Sequence, residues 1–212
     1  MTKRTLLLLA VLMLLLAACS GGGSTTTTDP NVLFQDDFSQ TSSGWDRYTG
    51  DDAITDYNNG VYRMWVNSDN TDIWANPGLN FQDVRVEVKA TKIAGPDDND
   101  FGVICRYQDV ENFYFMIVSS DGYYGIGAVE AGEQYLIGTE ELFTSEEINQ
   151  GDASNDLRGD CVGDKLTLYV NGTQLHQVQD STFTSGDVGL IAGSFDTVGV
   201  DIEFDNFKVL KP

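Results

Sequence analysis

The stretch Lys165–Val178 reads KLTLYVNGTQLHQV and contains the pattern that decides the fold class. Asn171 and Gly172 are the favoured pair for a two-residue type I′ turn, so the stretch predicts a tight β-hairpin. Side chains alternate between the two faces of a strand, and cross-strand partners share a face. One face of this hairpin is therefore aliphatic and faces a core: Leu166, Leu168, Val170 and Leu175.

His176 is the only histidine in the chain, and an enzymatic interpretation would begin with it because histidine titrates near neutrality. A regular hairpin places it opposite Thr167, on the polar face, with no acid nearby in the sequence to orient it. We therefore predict a surface histidine without a catalytic role.

The chain from Val32 onward continues as short strands. Alternating runs such as GVYRMWV and VRVEVKATKI are separated by Gly, Asn and Asp, and only the segment FTSEEINQG favours a short helical turn. So many antiparallel strands need a two-sheet sandwich or a barrel to bury their faces and hide their edges. We predict the all-β class and, of these two, an antiparallel sandwich.

The N-terminus has the layout of a secretory signal. Lys3 and Arg4 precede an apolar run that is short for a membrane span, and the run ends in Leu16-Ala17-Ala18-Cys19. This junction resembles a bacterial lipobox, which implies that Cys19 carries lipid. The alternatives are an ordinary cleaved signal or a short uncleaved anchor.

Three segments follow from this organisation. Residues 1–18 are predicted to be a lipoprotein signal peptide, and residues 19–31 a lipidated cysteine followed by a flexible tether rich in Gly, Ser and Thr. Residues 32–212 keep a globular composition without a break, which predicts one domain.

The chain is strongly acidic. It has 12 Lys and Arg against 33 Asp and Glu, a formal net charge of −21. Such a surface repels phosphate backbones and anionic headgroups, so we expect no nucleic-acid partner and membrane contact only through a lipid anchor. Neutral ligands and cations remain as partners.

Cys105 and Cys161 form an even pair once Cys19 is assigned to lipid. An exported protein favours a disulfide between them. Neither has the closely spaced Cys or His partners of a zinc site.

Several motifs together resemble a known family. The segments FQDDFS, NGVYRM, DFGVICRYQDVENFYFMIVSSDGYY, DLRGDCVGDKLTLYVNGTQL, DVGLIAGSF and FDNFKV are similar to concanavalin A-like lectin and glucanase jelly rolls. The likeness is strongest to secreted bacterial domains grouped near laminin G-like modules and 3-keto-disaccharide hydrolases. It implies a jelly-roll sandwich over Val32–Lys211, but its motifs are packing and turn residues, which specify fold better than function.

The resemblance leaves the catalytic residues unknown. The Glu-x-Asp-x-x-Glu pattern of laminarinase-type enzymes is absent, and the nearest match is Asp201-Ile202-Glu203-Phe204-Asp205. Acids two apart on a strand are about 6.6 Å apart, near the spacing that glycoside hydrolysis needs. The same alternation is typical of a solvent-facing strand in an acidic protein, which we favour.

Rings and hydrogen-bonding side chains recur in the run CRYQDVENFYF and in the following DGYY, as in sugar grooves. We predict ligand-binding residues there: Arg106, Tyr107, Asp109, Asn112 and Tyr114. The alternative is that several of these rings belong to the core.

Acidic clusters occur at Asp36-Asp37, in the loop Asp97-Asp98-Asn99-Asp100 and at Asp205-Asn206. In the carbohydrate-binding modules that the domain resembles, a structural calcium often ties the first strand to the last. The resemblance implies Asp37 and Asp205 as its ligands, with ordinary solvated loop acids as the alternative.

These observations favour a lipid-anchored, extracytoplasmic, lectin-like module on a bacterial cell membrane that binds a neutral glycan or polysaccharide. The alternatives are a glycoside-processing hydrolase of the 3-keto-disaccharide type and a structural or protein-interaction domain of the envelope.

Overall fold

The structure, a computed structural model, describes residues 29–212, and all regular elements in this range are strands. They are β1 (Val32–Asp36), β2 (Tyr48–Thr49), β3 (Ala53–Asn58), β4 (Val61–Val66), β5 (Thr71–Ala75), β6 (Val84–Ala94), β7 (Asn99–Asp109), β8 (Asn112–Val118), β9 (Tyr123–Glu130), β10 (Glu133–Leu136), β11 (Phe143–Thr144), β12 (Ser154–Val162), β13 (Lys165–Val170), β14 (Thr173–Gln179), β15 (Asp187–Ser194) and β16 (Val200–Leu210). The segment FTSEEINQG forms β11 and turns, so its expected helical turn is absent.

The strands form two antiparallel sheets. The nine-stranded sheet has the order β14-β13-β12-β6-β16-β4-β3-β2, with β1 also paired to β16. The seven-stranded sheet has the order β10-β9-β8-β7-β15-β5, with β11 also paired to β9. Every named strand pair is antiparallel. The predicted all-β, two-sheet antiparallel sandwich is confirmed.

The main core lies between the sheets and follows the alternation of the strands. On β4 the buried positions are Tyr62, Met64 and Val66, while the residues between them are partly exposed. On β16, Ile202 and Phe204 are buried in the same core. Burying one such side chain contributes about 1.5–3 kcal/mol, so this face of each sheet fixes the strand register.

Cys105 of β7 and Cys161 of β12 form a disulfide that joins the two sheets through the core. Both residues are buried. The predicted disulfide is therefore confirmed.

The β13–β14 hairpin corrects the prediction for His176. It turns at Asn171-Gly172 as expected, but one extra residue in β14 shifts the register, so that His176 lies opposite the buried Leu168. The His176 ring is 4.9 Å from the ring of Phe143 on the other sheet. Because a bulge interrupts the alternation, the predicted outward position is wrong: His176 packs between the sheet edges, and burial lowers its pKa.

Cys19 and the signal segment 1–18 lie outside the described residues, as does most of the tether 19–31. Within residues 29–212, no helix has the length and apolar character needed to cross a membrane.

Candidate functional site

The outer face of the seven-stranded sheet is partly covered by the sheet's own edge. Gln134 of β10 donates a hydrogen bond from Nε2 to Oδ2 of Asp72 on β5, at 3.0 Å. These two strands stand at opposite ends of a six-strand path, and a flat sheet would separate them by about 24 Å. The sheet therefore curls until its ends meet, and its outer face becomes concave.

Two glycines in the β9 segment YYGIGAVE make this closure possible. A side chain at Gly127 would collide with the ring of Phe115, and one at Gly125 with Leu136 and Leu142. Because both positions lack a side chain, β10 and the loop after it pack onto the sheet. A second apolar cluster forms underneath: Ile104, Phe113, Phe115, Ile117, Val129 and Ile191, with Trp74, Tyr107, Leu136 and Leu142 against it.

Two neighbouring cavities open beside this cluster and share Leu142 and Phe195 as lining residues. The first, which we call the dyad cavity, has a volume of about 320 Å³ and is lined by Asp72, Asp100, Phe115, Ile117, Gln134, Tyr135, Leu136, Glu140, Leu142 and Phe195. The second, the outer cavity, has about 630 Å³ and is lined by Asp98, Ser119, Asp121, Tyr123, Glu141, Leu142 and Phe195. Together they form the acidic groove.

Asp72 and Asp100 form a carboxyl pair at the base of the dyad cavity. They lie on β5 and β7, on either side of Gly193 in β15. Oδ1 of Asp72 and Oδ2 of Asp100 come together in the space above Gly193, which a side chain there would fill. Carboxyl groups this close share a proton.

The surroundings of the pair disfavour its charge. Burial, followed by the negative charge of Asp72, raises the pKa of Asp100 well above the usual range, and burial raises the pKa of Asp72. Asp100 is only 4% exposed, and its Oδ1 atom has no hydrogen-bond partner. The dyad cavity therefore contains a desolvated acid with one acceptor atom free.

Three aromatic side chains line the groove with accessible rings. Tyr123 and Tyr135 are 41% and 39% exposed, and Phe195 is half-buried. Tyr135 donates a hydrogen bond to Glu130 at 3.0 Å, and burial followed by this bond raises the pKa of Tyr135 to about 12. The phenol of Tyr135 is thus neutral at ordinary pH, and its hydroxyl is bonded to Glu130.

The charged residues that line the groove are all acidic: Asp72, Asp100 and Glu140 in the dyad cavity, and Asp98, Asp121 and Glu141 in the outer one. Among the described residues, none of these six forms a salt bridge with lysine or arginine. The groove accordingly has a strongly negative potential.

The structure does not place the five predicted ligand residues in a groove. Arg106 is 2% exposed and donates to three backbone carbonyls, those of Gln82, Phe183 and Gly163, as well as to Asp83. Its guanidinium ties loops together beneath the surface. The prediction that Arg106 contacts ligand is wrong because the sandwich edge closes over it.

Tyr114 is likewise a core residue. It is fully buried, its hydroxyl donates to Asp180, and the same hydroxyl accepts a bond from the backbone N–H of Phe183 at 3.0 Å. The alternative noted from the sequence, that rings in this run belong to the core, is correct for Tyr114.

The other three predicted residues, Tyr107, Asp109 and Asn112, lie at and beside the β7–β8 turn, far from Asp100 at the start of β7. The Tyr107 ring packs 5.5 Å from that of Phe113, and Asp109 shapes the β7–β8 turn by accepting from Asn112 Nδ2 at 2.8 Å. None of the three lines either cavity. Sequence reasoning missed the groove because curling of the sheet brings β5, β7 and β10 together, although DGYY and the Asp97–Asp100 loop both contribute to it.

The two predicted calcium ligands, Asp37 and Asp205, make local hydrogen bonds. Asp37 accepts from the hydroxyl and the backbone N–H of Ser39, and Asp205 accepts from the N–H of Asn206. Within residues 29–212, no group of three or more His, Cys, Asp or Glu side chains is arranged to hold a metal ion. The described residues therefore give the calcium expectation no support.

The acids of the segment Asp201–Asp205 lie on the outer face of the nine-stranded sheet, because Ile202 and Phe204 face the core. Arg63 donates two hydrogen bonds to Asp201, each at 2.8 Å. Asp201 is thus a buried structural ion-pair partner, so the solvent-facing position favoured from the sequence does not hold for it.

Comparison with protein-family models and with curated proteins gave no match. Among solved structures, the carbohydrate-binding module CBM66 from Bacillus subtilis is similar, with a TM-score of 0.63 at 18% identity over 80% of this chain and 96% of that one. The chain has a concanavalin A-like jelly-roll fold.

Enzymes are also among the similar structures. The catalytic domain of an endo-1,3-beta-glucanase (laminarinase) from Thermotoga petrophila has a TM-score of 0.60 at 13% identity, over 85% of this chain and 97% of that one. A Bacillus licheniformis beta-glucanase has a TM-score of 0.57 at 11% identity, over 84% and 98%. At such identities the likeness shows the fold alone.

Proposed function

We propose that this protein is an extracytoplasmic carbohydrate-binding module and that the acidic groove is its glycan site. The observation that carries the proposal is the juxtaposition of exposed aromatic faces, those of Tyr123, Tyr135 and Phe195, with the carboxylates of the groove. The names of the similar structures, a carbohydrate-binding module and two glucanases, support it.

Sugars match such a surface chemically. Their C–H patches pack on flat aromatic rings, and their hydroxyls donate to carboxylates. The two cavities, of about 320 and 630 Å³, fall within the usual size range of ligand pockets. Because they adjoin at Leu142 and Phe195, the groove suits a chain of more than one sugar unit.

Binding is favoured over hydrolysis by the spacing of the carboxyl pair. Glycosidases hold their two carboxyl groups about 5–5.5 Å apart for retention or about 6.5–9.5 Å apart for inversion. The nearest oxygens of Asp72 and Asp100 instead both lie in the space that a single Cβ atom at Gly193 would fill, which is closer than either arrangement. A glycoside-processing hydrolase is the second candidate, supported by the glucanases among the similar structures.

We further propose that Cys19 is lipidated and anchors the module to a bacterial membrane. The lipobox-like junction Leu16-Ala17-Ala18-Cys19 supports lipidation, and the Cys105–Cys161 disulfide supports export, since disulfides persist in oxidising compartments. Mass spectrometry of the mature protein is expected to find acyl chains on Cys19. An unmodified chain beginning at Ser20 would overturn the anchor.

The binding function is tested by a glycan array probed with the detergent-purified full-length protein, followed by product analysis on every glycan bound. Retention of intact glycan supports the module. Release of shorter products would replace binding by hydrolysis, and an array without any bound glycan would contradict both and favour a structural or protein-interaction domain of the envelope.

A further inference from the structure

The acidic groove has a property that a site for neutral sugars does not require. Its lining includes six carboxylic acids and, among the described residues, no lysine or arginine. At its base, Asp100 is almost completely buried, and its Oδ1 has no partner. A desolvated acid pair is neutralised by a bound proton or by a positive charge that takes the place of that proton.

We propose that the dyad cavity binds a protonated amino group, so that the ligand of this module is an amino sugar. That the ligand is a saccharide rests on the proposed function. That it carries an amine rests on the Asp72–Asp100 pair. It deepens that function by naming a cationic sugar, where the sequence indicated a neutral glycan.

The geometry of the pair suits an ammonium group. Asp72 already accepts from Gln134 through Oδ2, and the other oxygen of Asp72 meets Asp100 Oδ2 in the space above Gly193. Asp100 Oδ1 is buried without a partner, and Glu140 lines the exposed side of the same cavity. An ammonium that replaces the shared proton donates N–H to the two oxygens that meet over Gly193, Asp72 Oδ1 and Asp100 Oδ2.

The aromatic lining supports the same ligand. Phe115, Tyr135 and Phe195 line the dyad cavity beside the acids. An aromatic face attracts a cation and also packs on the C–H face of the sugar ring that carries it. A 2-amino sugar presents both features within one ring.

A divalent metal ion fits the cavity less well. Hard cations take six or more oxygen ligands, and within the described residues the site lacks a third acid close enough to complete a metal group. Much of the remaining lining is apolar, including Phe115, Ile117 and Leu136. An ammonium needs about three oxygen acceptors, half as many as a metal ion. A cavity with two adjacent carboxyl groups and an otherwise largely apolar lining therefore suits an ammonium better.

The experiment compares three oligosaccharides of equal length and β-1,4 linkage that differ at carbon 2: oligomers of glucosamine, of N-acetylglucosamine and of glucose. Affinity is measured by calorimetry with the full-length protein, at a pH below the pKa of the sugar amine, so that the amine carries its proton. We expect the glucosamine oligomer to bind about tenfold or more tightly than either other oligomer, and to release protons from the carboxyl pair.

Asp100→Asn and Asp72→Asn are each expected to remove about tenfold of the glucosamine affinity and little of any glucose affinity. Asp156→Asn, an exposed aspartate on the other sheet, is the matched control and should bind as the unmutated protein does. Asp72→Asn tests the proposal if Asp100→Asn does not fold. If neither variant folds, proton release on glucosamine binding by the unmutated protein tests it.

The inference is overturned if the glucosamine oligomer binds no more tightly than the glucose oligomer, or if both dyad variants fold and retain the preference. It is also overturned if Ca²⁺ or Mn²⁺ binds at the pair and blocks the sugar. Tight binding of neutral oligomers alone would refute the amine and leave the proposed function standing, whereas an empty glycan array would refute both.

Discussion

The carboxyl groups of Asp72 and Asp100 meet although they lie on strands that are not neighbours, because Gly193 on the strand between them has no side chain. The pair holds a proton more tightly in the folded than in the unfolded chain, since burial raises the pKa of both groups. Its contribution to stability is therefore complete at acid pH and is lost as the pH rises through the raised pKa values.

Asp100→Asn is expected to weaken this pH dependence. The amide of the new asparagine can donate to Asp72 at any pH, whereas the unmutated pair depends on a proton that titrates. Loss of that one proton costs up to about 1.4 kcal/mol of unfolding free energy per pH unit within the window. Urea unfolding from pH 4 to pH 8 measures the slope; Asp156→Asn should retain it, and an unchanged slope in folded Asp100→Asn would contradict the shared proton.

Gly193→Ala is expected to force the pair apart. A Cβ atom at this position would collide with Asp72 Oδ1 and Asp100 Oδ2, so we expect a loss of about 1–3 kcal/mol in unfolding free energy. Adding Asp72→Ala removes one of the colliding groups and should recover part of the loss. If the double variant shows only the sum of the two single effects, the contact over Gly193 is not the cause.

Replacing both Cys105 and Cys161 by alanine is expected to lower the unfolding free energy by up to about 4 kcal/mol, because the disulfide closes a loop with a sequence separation of 56 residues. Chemical denaturation with and without a reductant checks this. The reduced unmutated protein should approach the double variant, and equal stability of all forms would count against a cross-link in the folded protein.

The alternation of buried and exposed residues was sufficient to predict the sandwich, since strands such as β4 and β6 follow it closely. The prediction failed where local order breaks. One extra residue in β14 turned His176 inward, and the sequence near Arg106 and Tyr114 does not distinguish a buried ring or guanidinium from one that lines a groove.

The acidic groove was not predictable for a different reason. Its residues come from β5, β7, β10 and the loops beside them, which are far apart in the sequence and meet only because the sheet curls. The glycines that allow this, Gly125, Gly127 and Gly193, are visible in the sequence. Their effect depends on which strands lie side by side, and alternation does not specify that order.

The central claim, that the acidic groove binds glycan, is tested most directly by glycan affinity in two tyrosine variants. Tyr123 in the groove is 41% exposed, and Tyr48 on the nine-stranded sheet is 50% exposed, which makes the two a matched pair. For the best glycan on the array, we predict that Tyr123→Ala loses about 1–3 kcal/mol of binding free energy with unfolding stability unchanged, whereas Tyr48→Ala binds normally. Full affinity in folded Tyr123→Ala, or a loss confined to Tyr48→Ala, would contradict the claim.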